Sequence, residues 1–324
     1  MPSNTITGVG SALVDVLINE TDEFLQNLNK EKGGMTYVTA DEQQAIISAS
    51  SRTPVIVPGG AACNTILGVG NLGGAARFIG ARGKDEYGDI FEDKVRACRV
   101  EPVLSYFDTP TGKVLSIVTP DAQRSMFTDL GASSLLDPAI VTPQMFSDTA
   151  IALVEGYLLF NRDLMMAAVK AAKAAGALVA LDLASFEVVN ASKDILADLV
   201  KEYVDILIAN EDEARAYTGE SSDEIAALEK LSVNVEYAIL KVGSRGSYIR
   251  HDNAVTRIAP VKGNAPVDTT GAGDLWAAGF LYGIANGLSI EKSGQLGSMC
   301  GYEVCQIMGA HIPGPVWEKI RATV

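Results

Sequence analysis

Residues 266–283, P-V-D-T-T-G-A-G-D-L-W-A-A-G-F-L-Y-G, constrain the fold more than any other stretch of the chain. Val267 to Thr270 reads as the end of an extended segment. Gly271-Ala272-Gly273 interrupts it, because glycine opens backbone conformations closed to other residues. From Asp274 onward, Leu275, Ala278, Phe280 and Leu281 suit a packed helix, and the small residues among them let it lie close to a sheet. The expected unit is strand, tight glycine turn, helix. Such a turn aims free backbone N–H groups at one point, and the helix dipole makes that point attract anions. Asp274 stands where those donors converge. A phosphate cradle with a carboxylate beside it suggests phosphoryl transfer to a hydroxyl. An aspartate at a helix start also serves simply as a cap, and no G-K-[ST] follows to make a Walker A loop.

Composition narrows the setting. With 324 residues, 48% of them hydrophobic, the chain can bury a full core as one large domain, or one domain with a small appendage. A net charge of -14 argues against nucleic acid, whose phosphates need Lys and Arg to displace counterions, and against an anionic membrane. Cys63, Cys98, Cys300 and Cys305 form no C-x-x-C pair, and with His251 and His311 they make no zinc pattern. Free or structural thiols are expected. The first residues lack the basic region and apolar core of a signal peptide, and the apolar run 150–160 is too short to span a bilayer. The expectation is a reduced, cytoplasmic protein. Neither histidine sits in a nucleophile–histidine pattern, so a catalytic base would be a carboxylate.

Along the chain, Ile6 to Gly10 reads as a first core strand ending in glycine. Asp15 follows among Leu13, Val14 and Val16, where a carboxylate is costly unless bonded. It is a turn or cap residue, or a hydroxyl acceptor at a strand's C-terminal end. Residues 30–34, K-E-K-G-G, read as a solvated turn. A short strand 55–58 leads into Gly59-Gly60-Ala61-Ala62-Cys63-Asn64, a second glycine turn entering a helix. Small residues here would let a ligand touch the backbone, and Asn64 could donate and accept; tight packing with Asn64 as cap is the alternative. Gly68 to Gly73 matches G-x-G-x-x-G, but these glycines fall within or at the end of a helix instead of directly after a strand. A nicotinamide oxidoreductase therefore stays a weak alternative.

Strands at 103–107, 113–119 and 124–128, with no helices between them, suggest a small antiparallel sheet. Together with the segment after Asp15 it would form a lid from parts of roughly 13–57 and 100–130. From 151 the rhythm is regular: strand 151–155, helix 162–175, strand 177–182, helix 193–203, strand 205–208, helices 211–218 and 223–231, strand 237–241, a hairpin around Gly246, and the opening motif. A closing helix is expected over 290–308. Strand–helix alternation with apolar strands implies an α/β fold with a mostly parallel sheet covered on both faces.

Two further constellations follow strands. Asn210 and Glu213 are three apart on one helical face, a donor set that suits magnesium through waters; an acidic helix start favoured by the dipole is the plainer alternative. Lys241-Val242-Gly243-Ser244-Arg245-Gly246 is either a hairpin turn or a glycine loop whose cations offset phosphate charge. All these groups follow strands and so share one edge of the sheet, where ligands bind in α/β folds.

Taken in order and spacing, G-G-A-A-C-N-T at 59–65, G-A-R-G-K-D-E-Y-G at 80–88, N-E-D-E at 210–213 and D-T-T-G-A-G-D at 268–274 resemble the PfkB (ribokinase-like) family of small-molecule kinases over nearly the whole chain. G-V-G-S-A-L-V-D, P-T-G-K-V and the terminal G-A-H-I-P make the adenosine-kinase-like branch the nearest likeness. The resemblance implies a three-layer ribokinase-like fold with a β-rich lid, and an ATP- and Mg2+-dependent kinase with Asp274 as base. It implies Gly271, Ala272 and Gly273 as the anion hole, and Asp15, Gly60 and Asn64 as holders of the acceptor's hydroxyls. Asn210 and Glu213 would organise magnesium, and Lys241, Gly243 and Gly246 would flank the nucleotide. Asp268 and Thr270 would contribute to a monovalent-cation (K+) site, and Arg124 would reach the phosphates on lid closure.

Leu13, Val114, Met126, Leu130, Tyr157 and Phe186 fall where adenosine-kinase-like proteins surround the base, which favours a nucleoside over a free sugar of the fructose or ribose type. Ser11 stands where adenosine kinases carry asparagine. A non-catalytic nucleoside-binding protein on the same fold is a further alternative. The partner expected is a small molecule, with the protein a monomer or homodimer. A helix-start aspartate is expected to have a lowered pKa.

Overall fold

The computed structural model describes residues 4–28, 32, 34–121, 123–220 and 223–323. The turn expected at 30–34 falls largely outside them. Strand β1 (Thr5–Val9) ends at Gly10 and the chain turns into β2 (Leu13–Asn19). Helix α1 (Asp22–Asn27), β3 (Met35–Tyr37) and α2 (Ala40–Ala49) lead to β4 (Val55–Gly59), which feeds α3 (Ala61–Leu72). Then come β5 (Ala76–Gly83), α4 (Glu86–Ala97), β6 (Val100–Phe107) and the hairpin β7 (Thr111–Val118) and β8 (Arg124–Gly131). The alternating part runs β9 (Thr149–Glu155), α5 (Arg162–Ala174), β10 (Leu178–Asp182), α6 (Phe186–Ala191), α7 (Lys193–Tyr203), β11 (Ile206–Asn210), α8 (Glu211–Thr218), α9 (Glu224–Leu231) and β12 (Tyr237–Lys241). Hairpin strands β13 (Ser247–His251) and β14 (Ala254–Ile258) precede α10 (Ala272–Ala285), α11 (Ile290–Val304) and α12 (Gly314–Arg321).

Nine strands form the large sheet in the order β14-β13-β12-β11-β10-β9-β1-β5-β6. From β12 to β6 every pairing is parallel, and in the terminal hairpin only β13 runs against the rest, with β14 turning back alongside it. Strand residues alternate between two cores. Ile151, Ile206, Ile208 and Ile239 face α3, α10, α11 and α12, while Val154, Leu207, Ala209 and Leu240 face the layer from α5 to α9. Both faces are therefore covered, as parallel sheets require. After β1 the chain moves outward through β5 and β6, then returns to place β9 on the other side of β1. The crevice at such a reversal, at the carboxyl ends of the strands, is where α/β sheets bind ligands.

A second sheet of five strands, β3-β8-β7-β2-β4, comes from the segments expected to form a lid, with two differences. Residues 103–107 belong to β6, an edge strand of the large sheet paired with β5. The small sheet is mixed: β2–β4 and β7–β8 are antiparallel, but β2–β7 and β3–β8 are parallel. One face carries Val16, Ile18, Leu115, Ile117 and Phe127, packed against Leu25 of α1 and Ile46 of α2. Since side chains alternate along a strand, Leu13, Asp15, Val114 and Met126 point the other way.

The segment before the glycine turn is not a strand. Residues 259–270 are irregular, because the sheet has already ended at β14 and Val267 instead donates its N–H to the Cys305 carbonyl at 2.8 Å. The closing helix stops at Val304, and a separate α12 follows. Gly68 and Gly70 lie inside α3, where a Cβ on Gly68 would sit 2.6 Å from Ala278 Cβ and one on Gly70 would sit 2.2 Å from the Cys98 carbonyl oxygen. Close packing explains this G-x-G-x-x-G, and it is helix α3, not a strand, that leads directly into it. The four cysteines are free. Among the described residues no helix is long and apolar enough to cross a membrane.

Candidate active site

Gly271 is the N-cap of α10 and adopts φ 72°, a left-handed conformation that glycine enters without a Cβ penalty. The first-turn N–H groups of Gly273 and Asp274 have no helical acceptor, and they and the Gly271 N–H find none among the described residues. The Ala272 N–H is turned back to the Thr269 carbonyl at 3.2 Å. The cradle thus has three open donors, with Ala272 contributing shape.

Asp274 is pinned from α3. Asn64 Nδ2 donates to Asp274 Oδ2 at 2.9 Å, and Thr65 Oγ1 donates to the Asp274 carbonyl at 3.0 Å. The expected lowering of its pKa is overturned. Burial pushes it up to about 7, with Asp182 and Glu155 adding to the rise and the Asn64 bond and Lys241 opposing it. Desolvation and like charge outweigh the helix start. The carboxyl is consequently poised to take a proton near neutrality.

A cavity of about 770 Å3 opens at the β1/β9 reversal, under the free face of the small sheet. Its polar end holds Ser11, Asp15, Gly60 and Glu155, and its wall includes Leu13, Val114, Met126, Leu130 and Tyr157. Burial raises Asp15 to about 7, against the Arg124 charge, which lowers it. Gly59 makes room for that carboxylate: a Cβ there would lie 2.4 Å from Asp15 Oδ1. Asn64 and Asp274 are outside the lining, one helical turn along α3 and across to α10 from Gly60. Phe186 is also outside it, 46% exposed at the start of α6.

Asn210 and Glu213 form a capping box at α8. Asn210 N donates to Glu213 Oε2 at 2.8 Å, Asn210 Nδ2 to Glu213 Oε1 at 2.6 Å, and Glu213 N to Asn210 Oδ1 at 2.9 Å. Glu213 is buried, and burial, with help from Asp182, raises it to about 7. Each carboxylate oxygen keeps a lone pair, so the pair fits magnesium held through water and phosphate, the usual habit of that ion. No group of three or more metal-ligating side chains occurs among the described residues.

The Lys241 loop is a hairpin turn, with Val242 N bonded to the Gly246 carbonyl at 2.9 Å. Its other cation, Arg245, is occupied by Glu211 and Glu224. Gly243 borders open space, whereas a Cβ on Gly246 would strike the Ile258 carbonyl. Asp268 is saturated by protein donors: Thr270 N and Oγ1 at 3.0 and 2.9 Å, Gly309 N at 2.7 Å, and the Arg124 guanidinium. Arg124 supplies the positive charge there.

Two carboxylates escaped the sequence reading. Glu155 ends β9, is 3% exposed, and accepts from Ala62 N at 3.1 Å and Ser11 N at 3.4 Å; burial raises its pKa. Asp182 ends β10 and binds Lys241 Nζ at 2.9 Å. Both are single charges closing an apolar strand, the same signal that marked Lys241.

Residues 14–317 match the model of the pfkB family carbohydrate kinases. A probable fructokinase-7 of Arabidopsis thaliana is 32% identical over 72% of this chain and 72% of its own. Among solved structures, a probable sugar kinase from Rhizobium etli CFN 42 superposes with a TM-score of 0.91 at 30% identity, covering 100% of this chain and 99% of that one. Adenosine kinase from Sinorhizobium meliloti gives 0.89 at 31% identity, covering 98% and 99%.

Proposed function

The chain belongs to the pfkB family of carbohydrate kinases and is a kinase, and on that footing we propose that it moves the γ-phosphoryl group of ATP to a primary hydroxyl of a nucleoside. The acceptor oxygen attacks the γ-phosphorus, the bond to the β-phosphate oxygen breaks, and the hydroxyl proton passes to Asp274. Asn64 orients that carboxylate. The open N–H groups of Gly271, Gly273 and Asp274, with the Lys241 ammonium, take up the charge of the transferred group. Phosphoryl transfer has a loose transition state, so such positioning and charge stabilisation carry most of the catalysis.

Asp15, with the backbone at Gly60, accepts the hydroxyls of the acceptor. Asn210, Gly243 and Gly246 border the nucleotide. Magnesium, held by the phosphates and by waters on Asn210 and Glu213, supplies charge neutralisation when bound. The whole chain works as one kinase domain whose small sheet is the lid, with Arg124 reaching from it to Asp268.

One observation carries the nucleoside reading: a single cavity of about 770 Å3 combines the carboxylates Asp15 and Glu155 with an apolar wall of Leu13, Val114, Met126, Leu130 and Tyr157, among other polar groups such as Thr128 and Asn161. That size lies in the upper part of the roughly 300–1,000 Å3 usual for small-molecule sites, and the wall suits a base. A free sugar is the second reading, favoured by the probable fructokinase and sugar kinase relatives. Coupled ADP release with adenosine, inosine, ribose and fructose tests the choice. Faster turnover of either sugar than of both nucleosides overturns the nucleoside and leaves the kinase.

A further inference from the structure

The Lys241 ammonium has an unusual address. Lys241 ends β12 and Asp182 ends β10, with β11 between them. Their 2.9 Å ion pair therefore bridges two strand spacings, roughly 10 Å. The lysine side chain must extend across the end of β11. That brings Nζ over the first turn of α10, where a Cβ on residue 273 would lie only 3.0 Å from it. A glycine at 273 is what leaves the cation its place in the cradle.

Three carboxylates compete for this ammonium. Burial pulls its pKa down, and Asp182, Glu213 and Asp274 together more than restore it. Glu213 has both oxygens engaged by Asn210, and Asp274 has Oδ2 engaged by Asn64. Asp182 alone makes a direct bond to Lys241. Its own direction is set by a built turn. Ala184 N donates to Asp182 Oδ1 at 3.1 Å, and Ala184 itself turns the chain at φ 64°, a conformation costly for a residue with a Cβ. One oxygen of Asp182 is held by its own loop, so that the other faces the lysine.

We propose that Asp182 is a positioning residue: it draws the Lys241 ammonium to Gly273 and away from Asp274, so that the cation meets the transferred phosphoryl group and leaves the base unpaired. This rests on the phosphotransferase reading above. Without Asp182, the lysine turns to Glu213 or Asp274. In the latter case it neutralises the group that must accept the proton.

Two measurements test it. In a crystal structure of ligand-free Asp182→Asn, which keeps the bond from Ala184, Lys241 Nζ is expected to leave Gly273 for Glu213 or Asp274. An ammonium still beside Gly273 overturns the proposal. In steady-state kinetics, Asp182→Asn should lose about 100-fold in kcat with acceptor KM changed less than about threefold, the pattern of a misplaced group. Lys241→Met should lose at least as much. The double variant should then be no slower than Lys241→Met alone, because Asp182 acts only through the lysine; losses that multiply overturn the proposal. If the wild type transfers phosphate to no acceptor, the phosphotransferase reading fails, and the position of Lys241 in Asp182→Asn still decides this one.

Discussion

Asn64 and Asp274 meet across 2.9 Å from helices that lie far apart in the chain. The bond ties the first turn of α3, entered through Gly60, to the first turn of α10, entered through Gly271. The contact also works against the burial that raises Asp274, because a hydrogen bond to the charged form favours that form. Both residues were expected to touch the acceptor. In the structure the Asn64 amide is held to Asp274 Oδ2.

The first prediction concerns pH. With Asp274 raised to about 7, kcat/KM should climb as pH rises through about 7 and level off above it, since the base works deprotonated. Asn64→Ala removes a contribution that lowers this pKa, so the acid limb should move to higher pH. Asp274→Asn should keep acceptor binding and lose about 100- to 10,000-fold in turnover, the range for general-base removal. Coupled-assay profiles from pH 5.5 to 9 read all three, and an acid limb that stays put in Asn64→Ala would sink the link between the two residues.

The second concerns stability. A carboxyl raised from 3.8 to about 7 holds its proton in the folded state over a range where the unfolded chain has lost it. Its stabilising contribution is full below 3.8 and is lost as pH rises through about 7. Above that, folding buries a charge beside Asp182 and Glu155. Asp274→Asn should therefore melt higher than the wild type at pH 8, by about 1–2 °C per kcal/mol recovered for a chain of this length, with the gap narrowing at pH 5. A lower Tm at pH 8 contradicts it.

The glycine turn at 271–273 and the strand–helix alternation were legible because each has a local cause: a backbone only glycine adopts easily, and apolar periodicity. Residues 267–270 misled, since the pull that shapes them comes from the Cys305 carbonyl, a tertiary contact that no local pattern announces. The same holds for β6, whose place beside β5 depends on a register between distant strands. The pKa of Asp274 was misjudged because the helix start is visible in the sequence, while the burial that chiefly raises it, and Asp182 and Glu155 approaching from the ends of β10 and β9, are not. Asn210 and Glu213 were found as a pair, with an acidic helix start as the plainer alternative; that they cap α8 reciprocally is visible only in the structure.

The third prediction follows from Gly59. A methyl there would approach Asp15 Oδ1 to 2.4 Å, so Gly59→Ala must push the carboxylate off its position. Acceptor KM should rise about tenfold or more with nucleotide KM unchanged, because only groups at the acceptor end move. Asp15→Asn, which keeps the shape, should leave the apolar wall intact and lose the charge and one of the two acceptor oxygens. Equal acceptor KM in wild type and Gly59→Ala would remove Asp15 from the acceptor site.

The fourth separates nucleoside from sugar by the wall. Met126 and Leu130 lie four residues apart on the same face of β8, with Thr128 between them, and all three line the cavity, while Asp15 and Gly60 lie at its polar end. A base would rest on the wall; a hexose or pentose held by its hydroxyls at the polar end would not reach it. Met126→Ala with Leu130→Ala should cost a nucleoside about 1–3 kcal/mol of binding, or 10- to 200-fold in kcat/KM. It should leave a sugar substrate within a factor of about two, as expected for side chains it does not touch. If nucleoside and sugar lose equally, the wall serves only to pack the small sheet, and the apolar lining no longer argues for a base.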